Sequence, residues 1–160
     1  MAVGDLASCG NAGSPSLPPR AGVRILPPVD VLRVNTQRRS QLVEITREVA
    51  EAVAGEHGSA VLVYVPHTTA GVTINEHADP MVARDFESAL ERIVPVDWPW
   101  QHVELGEENA PSHIRASVMG PSVLVPLRGD GSLGLGAWQG IFFCEFDGPR
   151  ERTVYVSVLQ

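Results

Sequence analysis

Three of the five histidines stand in segments where imidazole chemistry could be used. His67 follows the apolar stretch "AVLVYVP" and leads into Thr68, Thr69 and, nine residues on, Glu76, within "HTTAGVTINE". Imidazole changes charge near neutral pH and is a common metal ligand. A histidine at the end of a buried strand is held firmly, either as a functional group or as a ring hydrogen-bonded to the Thr68–Thr69 region. Glu76 is suited to act as a base, to support a ligand from behind or to meet magnesium; the plainer reading is a surface carboxylate. His113 lies in "EENAPSHIRAS", four residues after Asn109. If Asn109 caps a helix, both fall on one face, with Glu108 beside them. His102 sits in the tryptophan-rich "WPWQHVELG". Together His67, His102 and His113 would suit zinc and leave a coordination position open. Their spacing matches no local zinc signature. His57 and His77 read as surface residues, one in a polar loop and one beside a helix cap.

The elements that must position these side chains follow from periodicity. "VDVLRVNTQ" (29–37) reads as a first strand. Ser40 is a plausible cap for a helix whose face is Leu42, Ile45, Val49, Ala52 and Val53, ended by Gly55 and Gly58. "AVLVYVP" (60–66) is short and β-branched, hence an inner strand. Asp79-Pro80 opens a second helix with Val82, Phe86, Ala89, Leu90 and Ile93 inward, stopped by Pro95. Asn109-Ala110-Pro111 opens a third that closes at Gly120. "SVLVPL", "WQGIFFCEF" and "RTVYVSVL" are strands joined by glycine-containing turns, as antiparallel neighbours are. The order β-α-β-β-α-α-β-β-β lacks the strict alternation of a doubly wound fold and predicts an α+β domain. "RGDGSLGLGAWQG" places five glycines in thirteen residues, a density that lets backbone N–H groups approach an anion. It lacks the lysine and the strand-loop-helix setting of a P-loop.

Composition narrows the function classes. The chain has 160 residues, 44% apolar and 19% charged, enough for one globular domain with a core. Its net charge is −7, and all twelve basic residues are arginine. That balance argues against a non-specific nucleic-acid binder, and Arg38-Arg39 and Arg150-Glu151-Arg152 are too small to reverse it. No apolar run reaches the roughly 20 residues that cross a bilayer. Nothing resembles a signal peptide, so a cytoplasmic location is expected. Cys9 and Cys144 are not expected to pair. Residues 1–23, rich in Gly, Ala, Ser and Pro, read as a flexible tail ahead of a domain over 24–160.

Three stretches in order, "HTTAGVTINE", "ENAPSHIRASVMGPS" and "LGAWQGIFFCEFDGPRER", resemble the YjbQ family, also called secondary thiamine-phosphate synthases. The resemblance covers residue 29 to the end. It implies a compact α+β domain with a β-sandwich-like sheet arrangement, assembled as a homotrimer with a site at the subunit boundary. His67 and Glu76 match the histidine and glutamate of the first motif, and Asn109 and His113 the Asn and His of the second. His102 matches a histidine ahead of the second motif more loosely. Trp138, Gln139 and Glu145 fall on the third. Ala137 and Glu108 depart from the family pattern, which often has threonine and aspartate there. The implied reaction joins a pyrimidine diphosphate to a thiazole phosphate, giving thiamine phosphate and pyrophosphate. Its substrate is a small phosphorylated molecule and its cofactor a divalent metal, zinc or magnesium. The resulting expectation is a small metal-dependent enzyme with thiamine-phosphate formation as a candidate, secondary activity. The alternatives are a non-catalytic trimer binding a small ligand or metal, and a metal-dependent phosphoester hydrolase.

Overall fold

A computed structural model describes residues 29–102 and 108–160. The expected tail over 1–23 and the domain start at 24 lie outside the described residues. Among the described residues, seven strands form two antiparallel sheets. The larger contains β1 (Asp30–Asn35), β7 (Glu151–Leu159), β3 (Ala60–Tyr64) and β5 (Ser122–Pro126), in that order. The smaller contains β2 (Gln41–Glu44), β6 (Gln139–Glu145) and β4 (Ala70–Glu76).

Alternation along the strands sorts side chains into layers. Val34, Val61, Val63, Val125, Val154, Val156 and Val158 point from the larger sheet into a shared core, where they meet Val72, Ile141 and Phe143 of the smaller one. Helix α1 (Thr46–Ala52) fills one end of this sandwich through Val49 and the flanking Ile45 and Val53. The other face of the smaller sheet presents Phe142 and Cys144 to α2 (Pro80–Ile93) and α3 (Ala110–Met119), through Phe86, Leu90, Ala116 and Met119. The layers therefore run sheet, sheet, helices. The outer face of the larger sheet carries no helix among the described residues. Val31, Tyr155 and Tyr64 form one cross-strand row there, half-exposed, with the two tyrosine rings stacked at 6.4 Å.

The α+β class and the third helix, from Asn109 to Gly120, agree with the sequence reading. The stretch after Ser40 does not. Residues 41–44 are a strand paired with β6, and the helix begins only at Thr46. Leu42 packs with the α2–α3 layer while Ile45, Val49 and Val53 face the inter-sheet core, so the residues read as one helical face serve two cores. In α2, Ile93 is 69% exposed; the buried position at that end is Val94, whose N–H bonds Leu90 O. Asp79 does cap α2, accepting from Met81 N at 2.8 Å.

Gly71 of β4 marks where α3 crosses the smaller sheet. A Cβ there would stand 2.8 Å from Gly120 O and 2.9 Å from Met119 Cβ. Gly71→Ala must push the helix end away from the strand. A loss of about 1–3 kcal/mol is expected in urea unfolding, and an unchanged midpoint would show that this contact does not set the helix position.

Candidate active site

The end of the molecule where β6 stops and β7 starts is organised by a buried ion pair. Arg152 occupies an inward position of β7, in phase with Val154, Val156 and Val158, and Glu145 closes β6. Both are buried, Glu145 completely. The guanidinium donates from Nε to Glu145 Oε2 at 2.7 Å, from Nη2 to Glu145 Oε1, and from Nη2 to Thr69 Oγ1 at 2.9 Å. Glu145 also accepts from Phe146 N, Asp147 N and the Thr36 hydroxyl. A buried charge is tolerated only when its bonding capacity is met in this way.

His67 lies against this pair, half-buried, three residues past the end of β3 at Tyr64 and directly after Pro66. Its Nε2 accepts from Thr153 N at 2.9 Å. The ring thus takes over an amide that β3 no longer reaches, and the neutral tautomer carries its proton on Nδ1. Burial, and then the charge of Arg152, pulls the His67 pKa below that of a free imidazole, with Glu145 opposing. The partner is Thr153 rather than the Thr68–Thr69 region.

Asn109 starts α3 and accepts through its backbone oxygen from Ser112 N and His113 N. Its side chain makes no cap; Nδ2 donates to Asp147 Oδ2 at 3.2 Å, and the buried Oδ1 has no partner among the described residues. The neighbour of the His113 ring is His102, edge-on with centroids 5.3 Å apart, over a shallow 280 Å³ hollow that also touches Ile114. Ser112 bonds Phe146 O, and the buried Arg115 donates twice to Val94 O, tying the Trp98–Trp100 loop to α3.

Glu76 stands apart. It ends β4 opposite Gln139, whereas Ala70 at the other end pairs with Glu145. Six residues of strand separate the two ends by about 20 Å. Within one chain, Glu76, Trp138 and Gln139 therefore occupy the far end of the smaller sheet from His67 and Glu145. The three histidines expected to hold metal do not gather either. No group of three or more His, Cys, Asp or Glu side chains poised for a metal ion occurs among the described residues. His67 has committed Nε2, which leaves His102 and His113 as a pair. Among the described residues, one chain by itself does not bring the three expected histidines together as a metal cage. Cys144 offers no nucleophile, since burial pushes its thiol up to about 12.

What the end of the molecule does offer is a cleft in two compartments that share Arg39 and Glu108. One, about 440 Å³, is walled by Arg39, Asn109, Asp147 and Arg150. The other, about 490 Å³, is lined by Trp98, Trp100, Pro99, His102 and Pro111. Arg39 Nη2 donates to Glu108 O at 2.8 Å, and Arg150 is held by Asp147 O and Oδ2. A guanidinium has five N–H donors, so both keep capacity for an anion. Sequence reasoning treated these arginines only as small basic groups and assigned Arg152 no partner. The readable signal was Glu145 within the apolar run "GIFFCEF", a carboxylate that had to find a cation.

A three-layer α+β domain with an arginine-flanked cleft at one end of its smaller sheet defines the class. Residues 30–160 match the YjbQ family, described as UPF0047 protein YjbQ-like, and the chain belongs to that family. It is 46% identical over 134 residues to UPF0047 protein YugU of Bacillus subtilis, covering 80% of this chain and 96% of that one. It is 44% identical over 130 residues to a UPF0047 protein of Methanocaldococcus jannaschii, covering 79% and 91%. A crystal structure of an uncharacterized YjbQ/UPF0047 family protein from Clostridium acetobutylicum superposes with a TM-score of 0.77 at 43% identity, covering 82% of this chain and 100% of that one.

Two outcomes follow for the ion pair and its histidine. Glu145→Gln should cost about 3–5 kcal/mol by chemical unfolding, and Glu145→Leu with Arg152→Met should recover most of that; equal losses in both would assign the effect to packing. The folded His67 ring binds its proton at lower pH than the unfolded ring. Its stability contribution is therefore complete above the unfolded value of about 6.5 and is lost as pH falls through the lowered folded value. Stability measured against pH should fall on that side in the native protein and fall less in His67→Gln.

Proposed function

We propose that the protein is a small enzyme acting on a phosphorylated heteroaromatic molecule in the cleft on either side of Arg39. The observation behind this reading is the adjacency of a compartment bordered by Arg39 and Arg150, with Glu108 and Asp147, and a tryptophan-lined one that share Arg39. A ligand with a flat ring and a phosphate has matching halves. The ring would lie among Trp98, Trp100 and Pro111, and the phosphate would take charge-assisted hydrogen bonds from Arg39 and Arg150. The Asn109 amide, one end free of partners among the described residues, borders the phosphate side.

The finer proposal is thiamine-phosphate formation, since both substrates of that reaction are phosphorylated heterocycles. His102 borders the ring side, with His113 edge-on behind it over the adjoining hollow, and the two would supply proton transfer or hydrogen bonds to the departing diphosphate. A divalent ion, zinc or magnesium, belongs to this proposal only if substrate phosphates or a neighbouring copy complete what the two imidazoles begin. A homotrimer is part of the same reading, supported by the half-exposed row of Val31, Tyr155 and Tyr64 on the larger sheet and by motif residues at both ends of the smaller one. Assembly would give Glu76, Trp138 and Gln139 of one copy a way to stand near His67 of another.

Isothermal titration with thiamine phosphate should show saturable binding that Arg39→Ala weakens about 10- to 100-fold, the loss of one or two charged hydrogen bonds. Incubation with the pyrimidine diphosphate and thiazole phosphate should release pyrophosphate, and His113→Ala should slow it about 10²- to 10⁴-fold. Binding without turnover makes the protein a non-catalytic ligand carrier, and release of inorganic phosphate alone makes it a phosphoester hydrolase. Neither binding nor turnover ends the proposal. Metal analysis before and after chelation decides the ion, and light scattering the trimer.

A further inference from the structure

A cavity of about 580 Å³ lies beneath the glycine-rich segment 128–140, away from the Arg39 cleft. We propose that it is a second binding site, taking an uncharged, polyhydroxylated small molecule, with the His77 ring as its hydrogen-bond acceptor. Its size is within the range of small-molecule sites, about 300–1,000 Å³.

The floor is apolar, formed by Ala50 and Val53 at α1 and by Leu133 and Leu135 across from them. The polar groups around it have defined vacancies. His77 Nδ1 lies 3.0 Å from Glu44 Oε1. An ionised carboxylate only accepts, so Nδ1 carries the proton and Nε2 of the neutral ring is the remaining acceptor. Gln139 Oε1 accepts from Gly136 N at 2.8 Å, which leaves the amide NH₂ to donate. Thr46 Oγ1 accepts from Ile141 N at 2.8 Å, so its hydrogen is available. One acceptor and two donors therefore border an apolar floor.

The number of arginines separates the two cavities: Arg128 alone borders this one, whereas Arg39 and Arg150 both border the other. Arg128 is held by Leu135 O and Asp130 by Ser132, and the two opposite charges balance at the rim. Nothing here matches the paired arginines that suit a phosphate at the other end. A hydroxyl group donates and accepts at once, and the C–H faces of a polyol lie well on leucine and valine. Trp138, 66% exposed, follows Ala137 at the rim and is anchored by its carbonyl to His77 N.

Nitrogen-15 chemical-shift mapping with glucose, ribose and myo-inositol, each titrated singly, tests the site. At least one is expected to give saturable shifts confined to Gly131, Gly136, Gln139 and the His77 ring. His77→Ala should weaken that binding about tenfold or more, the equivalent of one lost hydrogen bond. The unchanged spectrum away from the cavity reports that the variant folds. The proposal is overturned if none of the three saturates, if His77→Ala binds equally well, or if inorganic phosphate occupies the cavity in preference to them. The Arg39 cleft lies elsewhere, so titration of thiamine phosphate there reads out separately.

Discussion

The Glu145–Arg152 pair is the constraint from which the end of this molecule follows. The two residues belong to different sheets, and the pair therefore fastens the sandwich where β6 hands over to β7. Removing two charges from water is costly, and the cost is offset only by filling nearly every bonding position. That requirement recruits Thr36 after β1, Thr69 ahead of β4 and the amides of Phe146 and Asp147. It also fixes the intervening turn. A Cβ on Gly148 would collide with Arg38 O and crowd Glu145 Cγ, so the "DGPR" turn must carry glycine there. Asp147 and Arg150 reach the cleft because this turn is pinned.

The layer order explains why the polar groups collect at the ends. Helices cover one face of the smaller sheet and the larger sheet covers the other, which leaves β6 buried along nearly its whole length. Functional side chains on such a strand emerge only where it starts or stops. Gln139 and Trp138 emerge at one end, and Asp147 and its neighbours at the other. A cavity lies at each of those two places, one bordered by Arg39 and Arg150 with Glu108 and Asp147, the other by His77, Arg128 and Asp130.

Much of the fold was legible, because each correct element rested on a local rule. Val61, Val63 and Val65 alternate, Asp79-Pro80 and Asn109-Ala110-Pro111 open helices, and the last three strands are separated by turn residues. The first helix was drawn too long, since a four-residue strand followed by a short helix yields apolar positions that satisfy the helical period by chance. The geometry of the candidate site residues was not legible. Asn109 and His113 share the start of α3, yet the Asn109 side chain turns to Asp147 instead of capping. His67 and Glu76 are close in sequence but joined by an extended strand, and extension converts nearness in sequence into distance. Arg152 was invisible as a partner because the cross-sheet meeting of β6 and β7 depends on tertiary packing that no local pattern records.

The bond between Thr153 N–H and the His67 ring gives the backbone an unusual custodian. Neighbouring amides of β7 are shielded by other strands, whose carbonyls do not titrate in the physiological range. This one is shielded by an imidazole, which stops accepting once it is protonated. Exchange of the Thr153 amide hydrogen with solvent is thereby coupled to the ionisation of a side chain 86 positions away in sequence. A single backbone proton becomes a gauge of the charge state beside the buried arginine, readable without any ligand or substrate.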